Sequence, residues 1–178
     1  PKQSKPLKPK QLALDCMSPA KAVLWTVEPP STPGEPVFSI RQENGSDILS
    51  IQAGRLEPSK TTVRVLLPGD GPENGAIWQK NFANYVSFLC RANKPVEMTM
   101  HLLQRGKPAG TYQSRFSVQP GEWQRVILPV SSFKLKSFSS IAGLGFRVVS
   151  SDKDAEVSIK DISVAGVPYT DDSWKSQK

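Results

Sequence analysis

Between residues 85 and 134 the chain reads YVSFLCRANKPVEMTMHLLQRGKPAGTYQSRFSVQPGEWQRVILPVSSFK, and apolar side chains recur there at every second position. Val86, Phe88 and Cys90 alternate with Tyr85, Ser87 and Arg91. Val96, Met98, Met100 and Leu102 alternate with Glu97, Thr99, His101 and Leu103. Phe116 and Val118 alternate with Gln113, Arg115 and Ser117, and Val126 and Leu128 share a side until Pro129 stops the run. Successive side chains of a strand point to opposite faces, so a period of two kept through these runs predicts antiparallel strands with one dry and one wet face. Turn chemistry separates the runs at Ala92-Asn93-Lys94-Pro95, at residues 106–110 and at Pro120-Gly121. Proline sets its own φ, donates no ladder hydrogen bond and biases the residue before it away from helix.

The flanking segments carry the same signal. Residues 11–17 (QLALDCM) and 22–27 (AVLWTV) read as short opening strands. Residues 38–42 and 48–53 flank Asn44-Gly45, a pair that accepts the positive φ angles of a tight hairpin turn. Asn44-Gly45-Ser46 is also a glycosylation sequon if the chain passes through a eukaryotic secretory pathway. Residues 61–67 are β-branched and alternating, and PGDGPENG at 68–75 is a long turn. Its Asp70, Glu73 and Asn74 serve either the turn itself or a cation. Residues 143–150 place Leu144, Phe146 and Val148 inward and Arg147 outward. In the closing run, 156–165, Val157 and Ile159 are out of phase with Ile162 and Val164, which predicts a one-residue bulge at Lys160-Asp161. The fold class that follows is all-β, a two-sheet antiparallel sandwich of jelly-roll type with about eight to eleven strands.

A chain of 178 residues suits one such domain with tails. The expected division is a basic linker or arm at 1–10 (PKQSKPLKPK), a sandwich at 11–168 and a tail at 169–178 that is polar apart from Trp174. No apolar run approaches the ~20 residues of a membrane-spanning helix. The net charge is +7, but the 23 Lys and Arg are scattered, whereas a nucleic-acid site wants a concentrated basic stripe. An anionic sugar polymer suits the same charge. Cys16 and Cys90 define no disulfide framework; a buried free thiol at Cys90 and a bridge to Cys16 both remain open. One histidine and two distant cysteines cannot build a zinc site, and no serine lies in a G-x-S-x-G elbow. Glu97 lacks an acidic partner on its predicted face, so the carboxylate pair of glycoside hydrolysis is missing and the expectation is no catalysis.

The successive segments VSFLCRANKPVEMTMHLL, GTYQSRFSVQPGEWQRVILPVSSFK, IAGLGFRVVS and AEVSIKDISV resemble carbohydrate-binding modules with a galactose-binding-like β-sandwich. The motifs that carry the likeness are the strand 86–92, the G-x-W segment 121–133, and the closing Val157-Ser158-Ile159-Lys160-Asp161-Ile162, over about residues 37–165. The resemblance implies a non-catalytic module that binds a polysaccharide on a concave sheet face and targets an attached or partner catalytic domain, outside the cell or at its surface. It also leaves open an accessory sandwich for structure or protein interaction, and a lyase or hydrolase built on the same fold. Relatives often hold a structural calcium through an opening glutamate and the second aspartate of the closing motif. Here Met17 stands where that glutamate would be, and Asp161 keeps the aspartate.

Jelly-roll pairing is expected to bring the strands of Ser50, His101, Gln113 and Arg147 into one sheet, with Gln52 or Ile51, Glu97, Thr99, His101, Arg105, Gln113, Arg115 and Arg147 on its outer face. Paired sugar hydroxyls are met by planar bidentate groups, and sugar C–H faces by aromatic rings, for which Trp78 and Tyr112 are the candidates. Arginines and a histidine against one glutamate favour uronates or sulfated sugars. The same polar residues would equally serve as an ordinary solvated sheet face with cross-strand pairs.

Overall fold

The computed structural model describes residues 11–14, 16–28, 37–52, 62–66, 84–104, 112–134, 141–150 and 152–165. Eleven strands are described: β1 (Gln11–Ala13), β2 (Trp25–Glu28), β3 (Phe38–Glu43), β4 (Ser46–Gln52), β5 (Thr62–Leu66), β6 (Tyr85–Ala92), β7 (Val96–Gln104), β8 (Tyr112–Val118), β9 (Gln124–Pro129), β10 (Ile141–Val149) and β11 (Glu156–Ala165). One four-residue helix, α1 (Pro19–Ala22), and a 3-10 turn at Val130–Phe133 are the helical pieces among these residues. The strands form two antiparallel sheets, β3-β4-β11-β6-β9 with β1 added beside β11, and β2-β5-β10-β7-β8. The expected all-β sandwich is therefore the fold observed.

Local chemistry sets the turns and the register. Asn44 (φ 50°) and Gly45 (φ 78°) both lie in the left-handed region, so β3 and β4 close as a two-residue hairpin with Glu43 opposite Ser46. The bulge in β11 falls where the phase change places it: Lys160 faces Leu89 and Ser163 faces Ser87, which leaves one residue too many on β11. Asp161 takes up the excess at φ 54°, a conformation aspartate tolerates, and Ile162 and Val164 return to buried positions.

Phe88 is fully buried between the sheets, and the rings of Phe116 and Phe146 meet it edge-on with centroids 5.5 Å away. Met98, Met100, Val148, Ile159 and Phe133 complete the surrounding apolar layer. Cys16 and Cys90 are both buried free thiols, which resolves the two readings of the sequence against a bridge. Burial pushes the Cys90 thiol up to about 12.

One expectation about the sheets is corrected. The strand of Ser50 belongs to the other sheet: β4 pairs with β3 and β11, and Ser50 is buried with its hydroxyl 3.3 Å from that of Ser158. The sheet of His101, Gln113 and Arg147 is completed instead by β5, which pairs with β10, and by β2 at its edge. Alternation within a strand sets its faces but says nothing about its neighbours, which here come from pairings remote in sequence. The segments 1–10 and 169–178, together with Asp70, Glu73, Asn74, Trp78 and Arg105, lie outside the described residues. Among the described residues no helix is long and apolar enough to cross a membrane.

Candidate functional site

The two outer faces of the sandwich differ in chemistry. On the six-stranded sheet, small side chains satisfy one another: Ser50 meets Ser158, and the Ser87 and Ser163 hydroxyls lie 3.1 Å apart. The Trp123 ring on that side is covered by two cations, the Arg91 guanidinium at 4.5 Å and the Lys160 ammonium at 4.4 Å from its centroid. A cavity of about 430 Å³ opens there beside Arg91, Ala92, Asn93, Gly121, Glu156 and Ser158. Most of its polar lining is already engaged. The Asn93 amide donates to the Asp154 carbonyl and accepts from the Glu156 N–H, and the Gly121 N–H donates to the Ala92 carbonyl.

The outer face of the five-stranded sheet carries long polar side chains instead. Antiparallel pairing aligns them in rows across the strands. One row runs Thr26, Arg64, Gly145, His101, Gln113, from β2 through β5, β10 and β7 to β8. In the next row Thr99 stands between Arg147 on one side and Arg115 on the other. In the row beyond, Glu97 stands between Val149 and Ser117. Six of the residues singled out from alternation, Glu97, Thr99, His101, Gln113, Arg115 and Arg147, thus share one face. Trp78 lies outside the described residues.

Tyr112 is not on that face. It pairs with Leu102 and is buried in the core cluster, 8% exposed, so it offers no ring to a ligand above the sheet. The alternation of β8 carries this: Tyr112, Ser114, Phe116 and Val118 share the phase opposite to Gln113, Arg115 and Ser117. Arg64 and Thr26 also stand on this face, where the pairings of β5 and β2 bring them; alternation marks Arg64 as the polar phase of the run 62–66 but does not say which sheet takes that run.

His101 departs from a surface histidine. It is fully buried, and neither Nδ1 nor Nε2 has a hydrogen-bond partner among the described residues. Burial first, and the adjacent Arg147 charge second, lower its pKa from 6.5 to about 4, so the ring is neutral at pH 7. The Arg147 Nε is likewise buried with no hydrogen-bond partner among the described residues. Glu97, by contrast, is engaged: the Ser117 hydroxyl reaches its two carboxylate oxygens at 2.6 and 2.8 Å. Gly145 contributes no side chain between Arg64 and His101, and a Cβ there would meet Thr62 Cγ2 at 3.0 Å and Arg64 Cβ at 3.1 Å.

The donors for the implied calcium are few. Asp161 is exposed at the bulge, Met17 is buried in the core, and Asp15 lies outside the described residues. Among the described residues no three His, Cys, Asp or Glu side chains come together. These residues do not by themselves make up a calcium site.

Neither a family model nor a curated protein matches this sequence. Solved structures do share the fold. The family 11 carbohydrate-binding module from Clostridium thermocellum, in complex with a β-1,3-1,4-mixed-linked tetrasaccharide, superposes with a TM-score of 0.54 at 16% identity, over 88% of this chain and 96% of that one. The agarase AgWH50C superposes with a TM-score of 0.57 at 10% identity, over 90% of this chain. The structure of PfGH50B does so with a TM-score of 0.53 at 14% identity, over 76% of this chain. The present chain spans 25% of the agarase AgWH50C chain and 22% of the PfGH50B chain. The likeness shows a β-sandwich fold shared with these proteins.

Proposed function

We propose that this protein is a non-catalytic carbohydrate-binding module, which holds a polysaccharide chain on the outer face of the sheet β2-β5-β10-β7-β8. The observation that carries the reading is the pair of adjacent rows, Arg147-Thr99-Arg115 and Gly145-His101-Gln113, on that face. The side chains of Arg147, Thr99, Arg115 and Gln113 stand on neighbouring strands about 4.8 Å apart and keep donors and acceptors unspent among the described residues, the arrangement that meets successive hydroxyls along an extended polymer. The opposite face has spent its serines on one another and covered its indole with cations. The likeness of the fold to a module solved with an oligosaccharide bound supports the class of ligand. The likeness to a quarter of an agarase chain supports a role beside an attached or partner catalytic domain.

Catalysis is not part of the reading. Glu97 is the one carboxylate among the described side chains of this face, and its oxygens are held by Ser117; acid–base cleavage of a glycosidic bond needs two carboxyls about 5–9.5 Å apart. The test is affinity electrophoresis against a panel of soluble polysaccharides, with polymer length followed in parallel. Retardation that is lost in Gln113→Ala and Thr99→Ala, with polymer length unchanged, supports the reading. Shortening of the polymer, or retardation untouched by either variant, overturns it.

A further inference from the structure

We infer that the polysaccharide taken by this face is acidic, with an ionised carboxylate or sulfate ester seated between Arg147 and Arg115 above Thr99. The inference rests on the carbohydrate-binding reading above and names its substrate class. Charge is the first ground. The described charged side chains of the face are Arg64 on β5, Arg147 on β10, Arg115 on β8 and Glu97 on β7. Among the described residues neither Arg147 nor Arg115 has an ion-pair or hydrogen-bond partner, whereas the one described carboxylate is already held by Ser117. These two guanidiniums flank Thr99 across adjacent strands, so their backbones stand about 10 Å apart. Side chains of that length converge readily on one anion, and a guanidinium meets a planar or tetrahedral oxyanion with paired N–H donors.

The second ground is independent of the charge count. His101 lies one row away in the floor of the face, fully buried, and among the described residues neither its ring nitrogens nor the buried Arg147 Nε has a hydrogen-bond partner. Buried donors without acceptors are costly, and natural proteins keep few of them except where a ligand supplies the missing partner. The groups left wanting at the centre of this face are mostly donors: the two guanidiniums and the N–H of a neutral imidazole. A neutral polyol offers donors and acceptors in equal measure. An oxyanion offers acceptors alone and also offsets the positive charge beside the ring.

The experiment is calorimetry with the wild type, Arg115→Gln and Arg147→Gln, titrated with a polygalacturonate oligosaccharide, a sulfated galactan oligosaccharide and a neutral mixed-linkage β-glucan. Arg115 is exposed, so its variant leaves the packing intact and serves as the control for folding. One or both acidic ligands bind, with the stronger of the two telling carboxylate from sulfate. The neutral glucan binds at least about tenfold more weakly, and each arginine variant loses about tenfold, the share of one charge-assisted hydrogen bond. Rising salt weakens the acidic ligand. His101 is the sole histidine, so its imidazole resonances are identified by inspection, and they shift as the acidic ligand binds. Equal or tighter binding of the neutral glucan, sensitive to the Gln113 and Thr99 variants, overturns this inference and leaves the carbohydrate-binding reading standing. Failure of all three ligands and of the wider polysaccharide panel overturns both.

Discussion

Phe88→Ala tests the packing that holds the candidate face in place. Phe88 is fully buried, and its ring takes edge-on contacts from Phe116 of β8 and Phe146 of β10, both at 5.5 Å between centroids. It belongs to β6 of one sheet and those two belong to the other, so this cluster joins the two layers directly beneath the rows of Arg147 and Arg115. Truncation removes the transfer free energy of the ring and leaves a cavity that the flanking β-sheets fill poorly, at a cost of about 3–5 kcal/mol. Phe88→Leu keeps most of the volume but loses both ring contacts, which are worth about 0.5–1.5 kcal/mol each, and so costs about 1–3 kcal/mol. For a domain of this size each kcal/mol lowers the melting temperature by about 2–4 °C, which puts Phe88→Ala about 6–20 °C below wild type. Denaturant unfolding of the three proteins gives the free energies, with an unchanged slope to show that the unfolded state is the same. A loss below about 1.5 kcal/mol for Phe88→Ala would refute the reasoning, because it would mean that the layers are not joined through this ring.

Three further outcomes are expected. Gly143→Ala would drive its Cβ into the Val65 carbonyl oxygen, so β5 and β10 must part; a loss of about 1–3 kcal/mol in denaturant unfolding is the expected reading, and wild-type stability would show that the pairing is loose there. The His101 pKa is lowered from 6.5 to about 4 in the folded chain, so the unfolded chain takes up this proton first as pH falls. Stability therefore drops between those two values, by on the order of 3 kcal/mol in full, and His101→Gln removes that part of the profile; parallel profiles for the two proteins would contradict a ring held neutral by the fold. Cys16 and Cys90 are buried and the Cys90 thiol is pushed up to about 12, so a thiol reagent reacts slowly with native protein and with both cysteines once it is unfolded; rapid labelling of native Cys90 would place it at the surface.

The alternation of apolar and polar residues along the chain was enough to establish the class of fold and the facing of most side chains, because the two-residue period of a strand is a local property of its backbone. That ground alone puts Glu97, Thr99, Gln113, Arg115 and Arg147 on the wet side of their own strands. The hairpin at Asn44-Gly45 and the bulge at Lys160-Asp161 were legible for the same reason, since each is written in a few adjacent residues. Sheet membership was not legible. Ser50 went to the other sheet, and Arg64 and Thr26 joined the candidate face, because strand neighbours are decided by pairings between segments far apart in the chain. Tyr112 shows the limit of reading by residue type, since an aromatic ring suited to a sugar turned out to follow the apolar phase of β8. Burial was the last thing the tertiary structure decided. His101 alternates like a surface residue, but the assembled face leaves it no exposed area and, among the described residues, no hydrogen-bond partner. A side chain's solvent contact depends on what the whole fold lays beside it, which no local pattern records.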